Sequence, residues 1–437
     1  MSIWQFLKER LQVYGNNLAI VCGDKAITYN ELITLVEDAK TKTSERVCVC
    51  DQESKFDQTV EILRCFAKGR VCVPINPEYG AVYLKNIKDE LQQGRETVIP
   101  KKTACIMFTS GSMGRPKGVM LSHENLRFGL EAILTYFKPK QGERSVVARP
   151  LSHIATLMGD LLAPLYCGLQ VYFFTEEFSP IRLISFIKCN DISIMNGTPT
   201  MFHYIAKMLR GSSDFPLKTA VLSGELLLAE TARFIQDKIP ECAFYNAYGI
   251  TEASGRVSVL YPKDFVRRSG AIGASVDGTE IKIINGQIYI KSPGIMVGYY
   301  KEPTLTRERL VDGWLNTGDM GYWDESGFLF VDGRADEMII RAGVKFYPQE
   351  IEKVLLKDEQ ISDCMVYVLQ DVAFGQKICI NVVKARESGQ WDMNRVDERY
   401  IMDICQQNLP PHMQPNRIEF VESLPRLSNG KLKRGVL

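Results

Sequence analysis

The residues best suited to chemistry lie between positions 104 and 121, ACIMFTSGSMGRPKGVML. The apolar run Ala104 to Phe108 reads as a buried strand, followed by a loop with glycines at 111, 114 and 118, after which Val119, Met120 and Leu121 resume the apolar pattern. Glycines allow successive backbone N–H groups to converge on one point. Thr109, Ser110 and Ser112 add hydroxyl donors and Lys117 adds a positive charge, so together with Gly111 the stretch suits a polyphosphate. Lys117 is followed by Gly118 and not by Ser or Thr, so the Walker phosphate loop is excluded. A polar hairpin loop is the plain alternative.

The string TSGSMGRPKGV closely resembles the phosphate-binding signature of adenylate-forming enzymes, the superfamily of acyl- and aryl-CoA ligases, peptide-synthetase adenylation domains and luciferases. Met113 departs from it, because the family usually carries Thr or Ser there. Further resemblances extend from ITYNEL near the amino terminus to GKLKR near the end. Tyr245 to Glu252 is similar to the adenine- and metal-binding motif: the resemblance implies nucleotide contacts at Asn246, Ala247, Tyr248 and Gly249, with Tyr248 stacked on adenine. It also implies Thr251 on the α-phosphate and Glu252 on Mg2+. A hard cation takes a carboxylate together with phosphate oxygens and neutralises the charge that builds as pyrophosphate leaves. For an isolated Thr-Glu pair, a helix cap is the alternative.

Trp314 to Asp319 and Gly333-Arg334 resemble the next two motifs. Asp319 is assigned to the ribose hydroxyls, with Arg334 beside it on ribose or phosphate. Asp336 resembles the family hinge about which the carboxyl-terminal module reorients between half-reactions. Arg341 to Glu352 looks more like the acyl- and aryl-CoA ligase form of the following loop than the peptide-synthetase form. Leu424 to Arg434 resembles the final motif, whose lysine, here Lys431, would hold the carboxylate and the α-phosphate together. Pro150 to His153 resembles the motif that borders the acyl pocket, which would be lined by His153, Gly197, Thr198 and Ala247. Amino-acid-activating members place an aspartate near this position, and here no acidic residue lies between Arg149 and Met158. A carboxylic acid lacking an α-amino group follows, since a buried ammonium without a counter-charge costs on the order of several kcal/mol.

The resemblance implies two-step chemistry, in which a carboxylate and Mg-ATP give acyl-AMP and pyrophosphate before a thiol takes the acyl group. The expected substrate is a small-molecule fatty or aromatic acid and the expected acceptor is CoA. The alternatives are a stand-alone ligase that loads the phosphopantetheine of an acyl or peptidyl carrier protein, since no carrier domain follows Lys431, and a nucleotide-binding scaffold without turnover. The scaffold reading is motivated by Met113 and by a trimmed amino-terminal lobe: the family normally inserts a longer strand-and-helix segment between Pro77 and the phosphate loop.

Composition sets wider bounds. A chain of 437 residues with 45% hydrophobic content has room for two or three domains and a sizeable core. Its 53 basic and 52 acidic residues nearly cancel, which gives no reason to expect nucleic acid or an anionic membrane. No apolar segment approaches the roughly 18 residues of a membrane span. The 12 cysteines are scattered, mostly within apolar runs, with no CxxC pair and no spacing matched to the four histidines. They read as buried reduced thiols in a cytoplasmic setting, in preference to zinc ligands or disulfides.

These groups need elements to position them. Strand, helix and strand alternate from Val47 to Ile75 and again from Ser145 to Leu222, which implies a parallel sheet. Each strand delivers a small polar loop at its carboxyl end, including Asn196 to Pro199 and the triplet Ser223, Gly224 and Glu225, the last assigned to the nucleotide. Residues 257–332 read as an antiparallel, barrel-like unit and residues 337 onward as a small α+β module. The expected class is α/β: an amino-terminal domain of layered α/β sheets over residues 1–335, including the β unit, followed by a small mobile α+β domain over residues 336–437.

Overall fold

The chain begins with a capped amphipathic helix, Ile3–Tyr14, in which the Ser2 hydroxyl accepts from the Gln5 amide and the Gln5 side chain returns to the Ser2 amide. Its Ile3, Leu7, Leu11 and Tyr14 recur at helical spacing and are buried. The computed structural model describes residues 1–38, 45–77, 81–92, 99–110, 116–209, 215–341, 344–371, 375–385 and 396–425.

Two sheets sandwich a shared core. The larger runs through nine strands in the order Ala274–Ser275, Ser258–Leu260, Ala243–Tyr248, Thr219–Ser223, Ile194–Gly197, Arg144–Val147, Gln170–Phe173, Leu18–Cys22 and Lys25–Thr28. From Ala243–Tyr248 to Leu18–Cys22 neighbouring strands are parallel, as the alternation of strands and helices predicts. The second sheet has the order Gly298–Tyr299, Pro116–Ser122, Thr103–Ser110, Val71–Pro74 and Val47–Cys50. Helix His123–Tyr136 contributes Leu126, Leu130 and Ile133 to the cluster between the sheets, where they meet Cys105, Val119 and Leu121 from one side and Val171, Phe173 and Val221 from the other. Helices Pro180–Cys189, Pro199–Met208 and Ala229–Lys238 cover the outer face of the larger sheet, and Ala81–Gln92 that of the smaller. Full burial of one such Leu or Phe stabilises the layers by about 1.5–3 kcal/mol.

Three local features differ from the sequence reading. The antiparallel unit is narrower than 257–332. Ser258–Leu260 and Ala274–Ser275 are edge strands of the large sheet, and Gly298–Tyr299 joins the smaller sheet. A five-stranded antiparallel sheet remains, with strands Glu280–Ile284, Gln287–Lys291, Leu310–Val311, Trp314–Trp323 and Leu329–Arg334. Second, Lys117 and Gly118 belong to strand Pro116–Ser122, with Thr109 paired to Lys117 and Phe108 to Gly118. Gly118 sits in a tight contact: a Cβ there would lie 3.0 Å from both Ile106 and Tyr300, which would have to give way. Third, the first helix in the alternating region after Ser145 is not a regular α-helix but a π-helix over Thr156–Leu162 followed by an α-turn Ala163–Tyr166. The wider turn lets buried Asp160 meet Arg149 at 2.9 Å while the carbonyl of Gly159 accepts from Asn196 at 2.8 Å.

Beyond Ala335–Glu337, a 3-10 turn, a separate hydrophobic cluster forms around Ile351, Leu355, Val366, Ile380 and Ile401. It is built by helices Pro348–Leu355 and Glu398–Asn408 and by the sheet Ile361–Asp371, Gly375–Lys384 and Arg417–Phe420.

Candidate active site

The carboxyl ends of the parallel strands lie side by side. Register pairs Ser223 with Ala247 and Leu222 with Gly197, which brings the loops at Gly197-Thr198, Ser223-Gly224-Glu225 and Ala247-Tyr248-Gly249 to one edge of the sheet. Thr198 caps helix Pro199–Met208, its hydroxyl accepting from the Met201 amide at 3.2 Å, and Glu225 Oε2 accepts from the Thr200 amide at 3.1 Å. Gly249 tolerates no side chain, since a Cβ would stand 2.2 Å from the carbonyl oxygen of Gly255. This contact folds the chain back so that Thr251–Ala253 forms a 3-10 turn beside the strand end.

Asp319 is brought to this edge from the antiparallel sheet. It is only 7% exposed, and Oδ2 accepts the Tyr248 hydroxyl at 2.5 Å. Asp319 and Arg334 are cross-strand partners, and Arg334 Nη1 donates to Asp319 Oδ1 at 3.2 Å and to the Thr317 carbonyl at 3.0 Å. Burial lowers the Arg334 pKa, but the carboxylates of Asp319 and Asp336 outweigh it and hold the guanidinium above the ordinary arginine value. Burial and the negative charge of Asp319 push the Tyr248 phenol well up, so it remains a donor. Asp336 accepts from Arg334 Nε at 3.2 Å, which ties the expected hinge to the same cluster.

Glu252 is placed by different means. Its Oε1 accepts the Tyr299 hydroxyl at 2.8 Å, and its carbonyl accepts the Met296 amide at 2.8 Å. Tyr299 pairs with Val119 in strand Pro116–Ser122, the strand that carries Lys117. Glu252 is thus hung from the hairpin whose turn carries the expected phosphate loop. Among the described residues no cation pairs with it, which leaves its carboxylate available to a hard cation.

Other residues take different roles. The Asn246 side chain is buried and donates to the Ala271 carbonyl at 3.1 Å, so it fastens the site to the edge strands. His153 sits on the turn after Pro150, with its neighbour Ile154 packed against Gly255. Asp160, just beyond the span free of acidic residues, is neutralised by Arg149; both are buried, and burial pushes its carboxyl up against the pull of Arg149. The loop residues Gly111 and Ser112, with Met113, and the final lysine Lys431 lie outside the described residues.

Tyr299 and Arg309 belong to the site without any motif pointing to them. A Cβ at Gly318 would lie 2.8 Å from Arg309 Nη1 and 3.0 Å from Arg334 Nη2, and the φ of +77° at Gly318 is one that glycine adopts freely. The glycine between Thr317 and Asp319 was the available signal that two guanidiniums converge there.

The residues fit a magnesium nucleotide: a carboxylate held by a neutral hydroxyl, a second carboxylate beside a guanidinium, and two buried oxygens, Ser223 Oγ and Glu225 Oε1, that have no hydrogen-bond partner among the described residues. Mg2+ held at Glu252 would supply charge neutralisation at phosphate oxygens.

Comparison with known proteins agrees with this geometry. Residues 56–300 match the AMP-binding enzyme family and residues 350–431 match its carboxyl-terminal domain. The 2-succinylbenzoate–CoA ligase of Listeria innocua is 30% identical over 337 residues, 77% of this chain and 70% of the relative. The feruloyl-CoA synthase of an Amycolatopsis species is 31% identical over 76% of this chain and 68% of its own. In three dimensions the chain superposes with a TM-score of 0.83 on o-succinylbenzoate CoA synthetase of Bacillus subtilis solved with its acyl-adenylate intermediate, covering 99% of this chain and 97% of that one at 22% identity. The same enzyme has also been solved with ATP and a magnesium ion. MatB of Rhodopseudomonas palustris with bound ATP superposes with a TM-score of 0.85 at 22% identity over 99% and 97% of the two chains. Matched over more than half its length by the family model, and sharing the family's fold, this chain belongs to the AMP-binding enzymes, the family of these acid–CoA ligases.

Proposed function

We propose that the chain is an AMP-forming ligase that joins a carboxylic acid lacking an α-amino group, aromatic or fatty, to CoA. In the first half-reaction a carboxylate oxygen attacks the α-phosphorus of ATP, the bond to the β-phosphate oxygen breaks, and pyrophosphate leaves. In the second the sulfur of CoA attacks the acyl carbonyl, the bond to AMP breaks, and the thiol proton passes to solvent. The observation that carries this reading is the convergence of Tyr248, Asp319 and Arg334 at the edge of the sheet where Ser223 to Glu225 and Ala247 end their strands.

Asp319 takes the ribose hydroxyls and Arg334 stands on ribose or phosphate. Tyr248 lies against adenine with Ser223, Gly224, Glu225, Asn246, Ala247 and Gly249 around it. Thr251 meets the α-phosphate, Glu252 holds Mg2+, and Thr109, Ser110, Gly111, Ser112 and Lys117 hold the outer phosphates. His153, Gly197, Thr198 and Ala247 border the acyl group. Neutralisation of Asp160 by Arg149 supports the choice of acid, because the acidic residue that follows that motif already has its counter-charge. The ring-bearing acids of the two relatives favour an aromatic substrate. The boundary between the domains is placed at Asp336, with residues 336–437 turning about it and bringing Lys431 to the site. A cytoplasmic location is supported by 12 cysteines that form no disulfide. No helix among the described residues is long and apolar enough to cross a membrane.

The test is ATP–pyrophosphate exchange against a panel of aryl, fatty and amino acids. Exchange with an aryl or fatty acid, then thioester formed on CoA, is the expected result. Thioester formed only on a carrier-protein phosphopantetheine would move the acceptor, and ATP binding without exchange for any acid would leave a nucleotide-binding scaffold. Lys431→Ala is expected to abolish exchange in a folded protein.

A further inference from the structure

The sequence shows no metal spacing among its cysteines, yet the fold gathers five of them on one face of the smaller sheet. Register aligns Cys48 with Cys72 and Cys72 with Cys105 across three neighbouring strands, Cys50 follows two residues along on the same face, and helix Lys55–Lys68 lowers Cys65 onto them. The sulfurs of Cys48, Cys50 and Cys65 all lie within 4.8 Å of one another. One helical turn before Cys65, Glu61 sets Oε1 at 3.2 Å from Cys48 Sγ.

We propose that Cys48, Cys50 and Cys65 form a site for a tetrahedral, thiophilic divalent cation of the zinc class, with Glu61, which accepts from the Cys48 thiol, swinging in as the fourth ligand. Metal–sulfur bonds of about 2.3 Å put tetrahedral sulfur ligands roughly 3.8 Å apart, within the span of the three sulfurs. The surrounding charge fits such an ion. The Glu61 carboxylate is held by Arg64 at 2.9 Å and Arg70 at 3.4 Å, so that a dication, three thiolates, one carboxylate and two guanidiniums come to neutrality in a partly buried site. On binding, thiol protons pass to solvent and no electron moves. Strand Val47–Cys50 is the edge of its sheet. The ion would fasten that edge to its covering helix, away from the nucleotide loops, and its contribution is to stability rather than to turnover.

The experiment is metal analysis of the full-length protein purified with zinc in the medium, followed by replacement with Co2+. The expected result is one ion per chain and a thiolate-to-cobalt charge-transfer band with the intense visible bands of a tetrahedral centre. Cys65→Ala and Cys48→Ser lose these bands, whereas Cys242→Ser, a buried thiol elsewhere, keeps them. Arg70→Gln weakens cobalt affinity by about 10–100-fold, as for loss of a group that holds a ligand. Stripping the thiolate-bound metal with a chelator that is then dialysed away lowers the wild-type Tm to that of Cys65→Ala, while carboxylate-dependent exchange per folded molecule, assayed with Mg2+ restored, stays unchanged. Absence of stoichiometric metal in wild type, a disulfide among Cys48, Cys50 and Cys65 in freshly purified protein, or uptake of Cu(I) with no tetrahedral cobalt spectrum would each overturn the proposal. The wild-type metal count decides the matter even if a cysteine variant fails to fold.

Discussion

Tyr248 and Asp319, on strands of two different sheets, share one short hydrogen bond of 2.5 Å, with the phenol as donor and the carboxylate as acceptor. The other carboxylate oxygen is taken by Arg334, so Asp319 is oriented from both sides before any ligand arrives. Tyr248→Phe keeps the ring and removes the donor. Loss of a hydrogen bond to a charged group, worth about 1.5–3 kcal/mol, is expected to weaken ATP binding by roughly 10- to 100-fold. Titration calorimetry with ATP checks this, and an unchanged Kd would remove the carboxylate from the nucleotide site.

Glu252 is held by a neutral hydroxyl and by no cation among the described residues. Glu252→Gln keeps its shape and the Tyr299 contact but removes the charge. Exchange is expected to fall by about 100-fold, comparable to loss of a group that stabilises developing charge. Raising Mg2+ should recover part of the rate, a dependence that a merely structural carboxylate would not give.

Gly249→Ala drives a methyl group into the Gly255 carbonyl at 2.2 Å. Relief requires the backbone between them to move, at a cost of about 1–3 kcal/mol. A lower midpoint in urea together with loss of exchange is expected, since the displaced segment carries Thr251 and Glu252.

Arg149 and Asp160 form a buried ion pair next to the π-helix. Arg149→Met alone strands a buried carboxylate and should cost about 3–5 kcal/mol. The double variant Arg149→Met with Asp160→Leu should recover most of that loss, as read from urea unfolding of the three proteins.

His203 and His123 set the acid side of stability. Burial, followed by the charge of Lys207, holds His203 below its ordinary value of 6.5, and burial followed by the terminal ammonium does the same for His123. Below 6.5 the unfolded chain takes up protons that the folded chain refuses. Their contribution is therefore intact above 6.5 and declines as pH falls through and below that value, by at most about 1.4 kcal/mol per pH unit for each site. Tm is expected to drop between about pH 7 and about pH 5, and His203→Gln should flatten that slope.

Much of the site was legible because its residues lie on loops at strand ends, where period-2 and helical patterns break and small polar residues follow. Tyr248, Asp319 and Arg334 carry motifs of that kind. Near the amino terminus, Gly23-Asp24 turns a hairpin and Thr28 caps the helix that starts at Tyr29, both local signals of turn and cap chemistry. What could not be read depends on contacts between distant segments. Tyr299 enters through a two-residue strand too short to leave a pattern. Ser258–Leu260 is three residues long and buried throughout, and nothing local states which sheet it will join. The cysteines looked scattered because strand register and one helix turn, not spacing along the chain, bring Cys48, Cys50 and Cys65 together.

The strand Gly298–Tyr299 bonds through its backbone to the phosphate hairpin and through its phenol to Glu252. The anion cradle and the cation ligand that we propose therefore share one suspension, and a displacement of either drags the other. Metal and triphosphate offered separately each meet half of a coupled receptor. The loaded pair should be admitted as a single guest, with ATP and Mg2+ strongly reinforcing each other's retention.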